Sequence, residues 1–263
     1  MLQFISFSSG SDGNCYMLAE DGVGIMIDQG IGLRKLKKLV NEYGINLGIV
    51  HALLVTHDHF DHSKSVGETS ALLGVPVYAH STVHAAMLNN PHIYRKVLPL
   101  LRYDICEEEV LRIGCFKITP FAVPHDSAYN LGYFIETPTT NLCLITDVGC
   151  YIPTMMPYIK GARNLVIEAN YDTGMLASGR YPAMLKRRIS KENGHSSNEQ
   201  TAKVLSEHLS SYIQRVFLCH LSANNNTPTL ALHTIQAALH DTGFNVPVSV
   251  LPRTSPSGVF NLV

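Results

Sequence analysis

The run Thr56-His57-Asp58-His59-Phe60-Asp61-His62 constrains this chain more than any other segment. It follows the apolar stretch that ends at Val55 and places metal-ligand side chains at 57, 59, 61 and 62. A continuous helix would set positions 57 and 59 about 200° apart, so they could not converge on one ion. A loop at a strand end lets 57 and 59 face one way and 61 and 62 another. Two adjacent ions sharing a water are the natural result. Such a chain must therefore bring other strand ends to the same rim, because each ion is still short of ligands.

Candidates for those further ligands stand where strands are expected to stop. His125 follows Phe121-Ala122-Val123, Asp147 ends Leu142–Thr146, and His220 ends Val216–Cys219. Asp28, after Gly24–Ile27, reads either as a carboxylate orienting a ligand histidine or as a turn residue. Further strands are expected at Gln3–Phe7, Cys15–Ala19, Ala52–Thr56, Val75–Ala79, Phe116–Phe121, Leu131–Glu136, Leu165–Glu168, Val248–Leu251 and Gly258–Leu262. The segment Leu33–Tyr43 carries Leu33, Leu36, Val40 and Tyr43 on one helical face, and Gly44 closes it. Its basic run, Arg34 to Lys38, reads as a solvated face. Thr227-Pro228 opens another helix, which runs to Thr242-Gly243. Ser197 and Gln200 form a capping box for a helix carrying Ala202, Leu205, Leu209 and Ile213. Tyr171–Ser197 is the most irregular stretch. Hairpins early and helix-separated strands later suit an α/β chain of two packed sheets with helices outside. With no repeat and no linker, residues 1–263 read as one domain.

Size and composition permit this. For 263 residues and 29.0 kDa, area scaling gives a folded surface of roughly 11,000 Å² against roughly 42,000 Å² unfolded. Hydrophobic residues at 46% and charged residues at 16% exclude a disordered chain. Twenty Lys and Arg against 21 Asp and Glu argue against a broad basic surface, though not against a local patch. No apolar run reaches membrane-spanning length, and the N-terminus reads as a strand and turn rather than a signal peptide. Six cysteines without a C-x-x-C pair read as reduced and structural, which implies a cytoplasmic location.

H-x-H-x-D-H followed by His125, Asp147 and His220 resembles the metallo-β-lactamase superfamily pattern, with a spacing that covers the whole chain. The resemblance implies a four-layer αβ/βα sandwich with two divalent metal ions at one edge. His57, His59 and His125 would bind the first, Asp61, His62 and His220 the second, and Asp147 would bridge them. Nitrogen and oxygen ligands suit Zn²⁺, with Mn²⁺ and Fe²⁺ also compatible. A hydroxide shared by the two ions would be the nucleophile.

Two further segments bear on the substrate. Val166-Ile167-Glu168-Ala169-Asn170-Tyr171 and Gly194-His195-Ser196-Ser197-Asn198 resemble the Glu and Gly-His-Ser segments of the superfamily's nuclease branch. There the histidine, held by the glutamate, donates a proton to the leaving oxygen, which a phosphodiester needs. Asp61, Glu168 and His195 are thus the implied catalytic residues. Only 21 residues separate His125 from Asp147 and 72 separate Asp147 from His220. Those intervals leave no room for a tRNA-gripping arm or for the large inserted domain of the β-CASP nucleases.

The remaining pattern is similar to the YycJ/WalJ subfamily. It comprises Ser9–Asn14, Gly179–Pro182, Lys186–Ser190, Gly194-His195 and His220–Ser222 with Asn225-Asn226, and it departs from the family at Ser196. The resemblance implies a 5′→3′ DNA exonuclease linked to repair, acting on single strands or 5′ ends. Ser11, Asn14, Lys186, Arg187, Arg188, Asn225 and Asn226 would then contact substrate. For Lys186–Arg188 a solvated helix face is the competing reading, and for Ser11 and Asn14 a simple turn. A thioester or lactone hydrolase and an RNA-processing nuclease stand as alternatives.

Overall fold

A computed structural model describes all residues, 1–263. The strands are β1 (Leu2–Ser8), β2 (Cys15–Glu20), β3 (Val23–Ile27), β4 (Val50–Leu54), β5 (Val77–Ala79), β6 (Arg102–Asp104), β7 (Leu111–Ile113), β8 (Phe116–Ala122), β9 (Leu131–Glu136), β10 (Asn141–Ile145), β11 (Asn164–Glu168), β12 (Arg215–Cys219), β13 (Val248–Val250) and β14 (Phe260–Leu262). They form two seven-stranded sheets, ordered β14-β1-β2-β3-β4-β5-β6 and β13-β12-β11-β10-β9-β8-β7. Each sheet begins with antiparallel hairpins and continues with parallel strands joined through helices. The last strand returns to pair with β1, so the C-terminus closes the first sheet.

Three apolar clusters fill the three interfaces of a four-layer sandwich. The strands sort their side chains between clusters with a period of two. Leu142 and Leu144 of β10 enter the central cluster between the sheets, while Cys143 and Ile145 face the outer helices. Phe217 and Cys219 of β12 point to the centre, whereas Val216 and Leu218 point outward. In the first sheet, Leu54 is central and Leu53 and Val55 meet the outer helices. Covering both faces explains why these parallel strands read as unbroken apolar runs. The accessible surface, 11235 Å², agrees with area scaling for a chain of this mass. All six cysteines are free, and Cys15, Cys143 and Cys219 are buried among apolar neighbours.

Several elements differ from the sequence reading. The helix capped by Ser197 and Gln200 is present with both capping-box bonds, but it ends at His208. Leu209 caps it and Ile213 packs on the outer cluster from beyond its end. The helix Val66–Leu73 escapes the sequence reading because its buried face is built partly from Gly67, Thr69 and Ser70, which carry no apolar period. Strands β6 and β7 are three residues each, too short to show alternation. Inside the irregular stretch 171–197 lie two short helices, Thr173–Ser178 and Ala183–Ile189.

The parallel strands position the functional rim. β3 and β4 in one sheet and β10, β11 and β12 in the other end on a common edge, and open α/β sheets bind ligands at such carboxyl ends. The central layer that holds those ends in register is testable. Phe217 is fully buried, with its ring centroid 5.1 Å from that of Phe4 and 4.8 Å from that of Phe260. Phe217→Ala is expected to cost about 3–5 kcal/mol of unfolding free energy in urea titrations. Tyr212→Ala, at a surface position 68% exposed, should stay within about 0.5 kcal/mol.

Candidate metal centre

Three residues of the rim adopt backbone conformations that side chains other than glycine rarely take. Asp28, Asp147 and His220 have φ of 57°, 53° and 53°. Each stands just past a strand, where the left-handed twist turns its side chain into the rim. Neighbours hold the twist in place. The Asp28 amide donates to the Leu54 carbonyl at 2.8 Å, and the His220 amide donates to the Ser9 hydroxyl at 3.0 Å. Strain kept at a site by its surroundings is a recurrent feature of functional positions.

Five histidines share one pattern of orientation, in which one ring nitrogen is tied outward and the other faces in. The Thr56 hydroxyl donates to Asp28 at 2.8 Å, so the His57 Nδ1–H must donate to Thr56 Oγ1 at 3.0 Å. His57 Nε2 is then a bare lone pair, buried and without any hydrogen-bond partner. His62 donates through Nδ1 to Asp28 at 2.7 Å, and His125 through Nδ1 to the Gly194 carbonyl at 2.8 Å. His59 donates through Nε2 to the Asp126 carbonyl at 3.2 Å, and His220 through Nδ1 to Glu168 at 3.0 Å. The inward nitrogens of His59 and His125 consequently face each other at 3.3 Å with no proton to share. Outward hydrogen bonds of this kind set ring orientation and basicity in metal-binding histidines.

The inward atoms fall into groups. His57, His59 and His125 form one and Asp61, His62 and His220 another, with the ligand atoms of each group within 4.8 Å of one another. Asp147 stands between them. Its Oδ2 is 3.1 Å from His62 Nε2, and its Oδ1 is 3.5 Å from His220 Nε2 and 3.8 Å from His125 Nε2. A buried cluster of lone pairs and carboxylates is costly unless cations lie among them. The stranded His57 Nε2 and the opposed His59 and His125 nitrogens show that these side chains fit a divalent-metal site.

Protonation follows the same division. Burial lowers the His57 pKa well below its ordinary value and brings that of His125 to about 4. His220 is also buried, but Asp147, Asp61 and Glu168 outweigh burial and raise it to about 10. His62 is raised as well, against burial, by Asp147, Asp28 and Asp61.

Glu168 and His195 complete the rim. Glu168 is fully buried and accepts from the Val148 and Ser196 amides at 2.9 and 3.1 Å. Through Oε1 it also accepts from His195 Nδ1 at 2.8 Å and from His220 Nδ1. Burial pushes the Glu168 carboxyl up, yet the imidazole of His195 and these hydrogen bonds hold it below its usual range. Burial opposes a charge on His195, but Glu168 overrides it and raises the pKa. The His195 side chain keeps 18% exposure at the mouth of the site, whereas the rings of His57, His62, His125 and His220 lie deeper.

Other expected substrate contacts are placed differently. Asn14, Asn225 and Asn226 are at most 2% exposed. Asn14 donates to the Gly10 carbonyl at 3.1 Å, and its Nδ2 also reaches the inward atoms of the cluster, 2.8 Å from His62 Nε2 and 3.3 Å from Asp61 Oδ2. Asn226 donates to the Ala169 carbonyl, and Asn225 packs against Ser222. Asn225 and Asn226 thus brace the backbone beneath the site, whereas Asn14 stands among its inward atoms. Ser11 is exposed on its turn, and Lys186 donates to the Ala177 carbonyl at 2.6 Å. Arg188 grips Asp126 through two nitrogens at 2.6 and 3.2 Å, which leaves Arg187 as the free, exposed cation of the three. Asp28 resolves as the carboxylate that orients His62. Sequence reading missed Thr56 and the Gly194 and Asp126 carbonyls. A hydroxyl beside the motif could have been suspected, but backbone acceptors carry no signal in residue identity.

A model of the beta-lactamase superfamily domain matches residues 24–221, and the chain belongs to that superfamily. It is a metal-dependent hydrolase with the metallo-β-lactamase fold. Within the superfamily it is YycJ/WalJ-like. It is 32% identical over 245 residues to exodeoxyribonuclease YycJ of Bacillus anthracis, covering 93% of this chain and 92% of the relative. It is 31% identical over 257 residues to exodeoxyribonuclease WalJ of Streptococcus pneumoniae serotype 2, covering 95% and 93%. The fold matches that of Zn²⁺-bound PqqB from Methylobacterium extorquens with a TM-score of 0.72, at 17% identity over 100% of both chains. No helix is long and apolar enough to cross a membrane.

Two outcomes are expected. Gly30 lies against the Asp61 carbonyl, so that an added Cβ would overlap it. Gly30→Ala should displace Asp61 and lower the divalent metal bound per chain, as measured by elemental analysis. The second concerns pH in chelator-treated protein. Between pH 4 and about 6.5 the unfolded chain carries a proton at His125 that the folded chain lacks, so stability rises with pH. Between about 6.5 and 10 the folded chain holds the extra proton at His220, so stability falls. Denaturation midpoints should trace that rise and fall, and reconstitution with Zn²⁺ should remove the alkaline fall, since a metal-bound His220 keeps no extra proton, while steepening the acid limb.

Proposed function

We propose that this hydrolase cleaves phosphodiesters and is a 5′→3′ DNA exonuclease, an activity suited to DNA repair. The observation that carries the reading is the Glu168–His195 pair at the mouth of the site, which supplies a held proton where a leaving oxygen would depart. The named activity of the YycJ and WalJ relatives supports DNA as the substrate.

His57, His59 and His125 would hold one divalent ion and Asp61, His62 and His220 a second, with Asp147 reaching both; zinc is favoured by the histidine-rich donor set. When bound, such ions supply Lewis acidity toward a phosphoryl oxygen and lower the pKa of bound water. The chain's own residues do the rest. Asp28, Gly194, Asp126 and Glu168 hold the imidazoles with their lone pairs inward. Glu168 receives the Nδ1 proton of His195, so the proton that His195 can give lies on Nε2, the nitrogen not committed to the protein. Glu168 raises the His195 pKa against burial, which favours the protonated ring. A DNA alkoxide leaves poorly without it, and general acid catalysis contributes typically 10²–10⁴-fold. Arg187, exposed on the short helix before Gly194-His195, adds positive charge near this side of the rim.

His195→Ala is expected to cut cleavage of DNA by about 10²–10⁴-fold with zinc content unchanged. Activity should also fall on the alkaline side as His195 loses its proton. The deciding assay uses 5′-labelled single- and double-stranded DNA and RNA with Mn²⁺, Zn²⁺ or chelator. Labelled mononucleotides released at the first time points from DNA support the assignment. Internal fragments, preference for RNA, or turnover of thioesters and lactones in place of nucleic acid would overturn it. Equal turnover by wild type and His195→Ala would overturn the proton-donor role.

A further inference from the structure

A second built surface adjoins the rim. Phe60 stands in the chain between His59 and Asp61, yet its ring is 41% exposed. It lines a depression of about 410 Å³ together with Lys64, His92, Tyr94 and Arg95. Lys64 lies over the Phe60 ring, 5.4 Å from its centroid, and His92 meets the same ring edge-on at 6.3 Å. Tyr94 is 94% exposed.

The loop that presents these groups is anchored firmly. Ile93 and Val97 are buried, at 3% and 9% exposure, so they point inward as Tyr94 and Arg95 point out. Lys96 donates to the carbonyls of Met87 and Asn90 at 3.0 and 2.5 Å. Gly67, on the helix beneath, has no side chain, and the Arg95 carbonyl and Lys96 backbone occupy the place where a Cβ would be. An ordered loop thus holds an aromatic ring almost wholly in water beside two cations. Aromatic faces interleaved with positive charge are the arrangement by which proteins hold unpaired nucleotides, each base finding a π-face and each phosphate a cation. Glu68, on the helix side of the depression, limits the positive field, so stacking carries much of the affinity.

We propose that this depression is a subsite for single-stranded DNA next to the scissile phosphate. Phe60, His92 and Tyr94 stack against bases, and Lys64 and Arg95 contact the backbone. The proposal rests on the nuclease reading and deepens it: the enzyme engages its substrate as an unpaired strand, and a paired end must fray to enter.

Steady-state cleavage of a 5′-labelled single-stranded oligonucleotide tests it, with wild type, Tyr94→Ala, Tyr94→Trp and the double variant Lys64→Ala/Arg95→Ala. Tyr94→Ala should raise KM about tenfold, within the range of one lost base stack, with kcat changed less than about twofold. Tyr94→Trp should return KM close to the wild-type value, since the indole keeps a stacking face. The double variant should raise KM and make it less sensitive to salt. Tyr43→Ala, at an exposed tyrosine ending the helix Leu33–Glu42, serves as the unaffected control. A wild-type KM in Tyr94→Ala, or a folded Tyr94→Trp no better than the alanine variant, would overturn the subsite. Failure of the nuclease reading looks different: wild type itself would leave single-stranded DNA intact under conditions in which it hydrolyses another ester.

Discussion

Everything at the rim depends on one imbalance: acceptors outnumber donors among the inward-facing atoms, which Asn14 and the Thr146 hydroxyl satisfy only in part. His57 Nε2 has no partner, and the inward nitrogens of His59 and His125 face each other. Asp147 is buried within reach of the imidazoles of His62, His125 and His220. In a low-dielectric edge between two sheets, such a group must be compensated by protons or by cations. The raised pKa values of His62 and His220 are the proton solution, and divalent metal is the other. Metal binding, pH response and local stability are therefore aspects of one electrostatic demand.

The sandwich supplies the rigid frame that makes the imbalance tolerable. Period-two sorting of side chains locks β10, β11 and β12 between two apolar interfaces, and β4 is held likewise in the first sheet. Ligands at the ends of these strands inherit that rigidity. The left-handed turns at Asp28, Asp147 and His220 convert strand direction into ligand direction. Such turns would relax if the strands beneath them could slide.

Around this centre the surface is asymmetric. Glu168 orients His195 through the carboxylate that also orients His220, so the proposed proton donor and the proposed metal ligand are mechanically linked. Beside the His57–His62 motif, the Phe60 depression brings exposed aromatic rings and positive charge together. Arg188, a natural candidate for gripping phosphate, is engaged with Asp126 instead, and the Asp126 carbonyl accepts from His59. That pairing braces a ligand residue. A near-neutral chain can serve a polyanionic substrate this way, with a few placed cations rather than a basic face.

Residue order alone dictates which strands carry ligands and what chemistry those ligands have. Apolar runs ending in His or Asp are local patterns, and the spacing of His57 and His59 excludes one helix through the whole motif, although a short helix, Phe60–Ser63, carries Asp61 and His62. The capping box at Ser197 is equally legible, because its two bonds span only three residues. Which ring nitrogen faces inward is a matter for the folded chain. That choice rests on the Gly194 and Asp126 carbonyls and on Asp28 and Glu168, partners distant in the chain or belonging to the backbone. Folding also buries Asn14, Asn225 and Asn226, and stands Tyr94 in water beside Phe60. Burial and orientation arise from which segments pack together across long loops, and residue type at one position does not encode them.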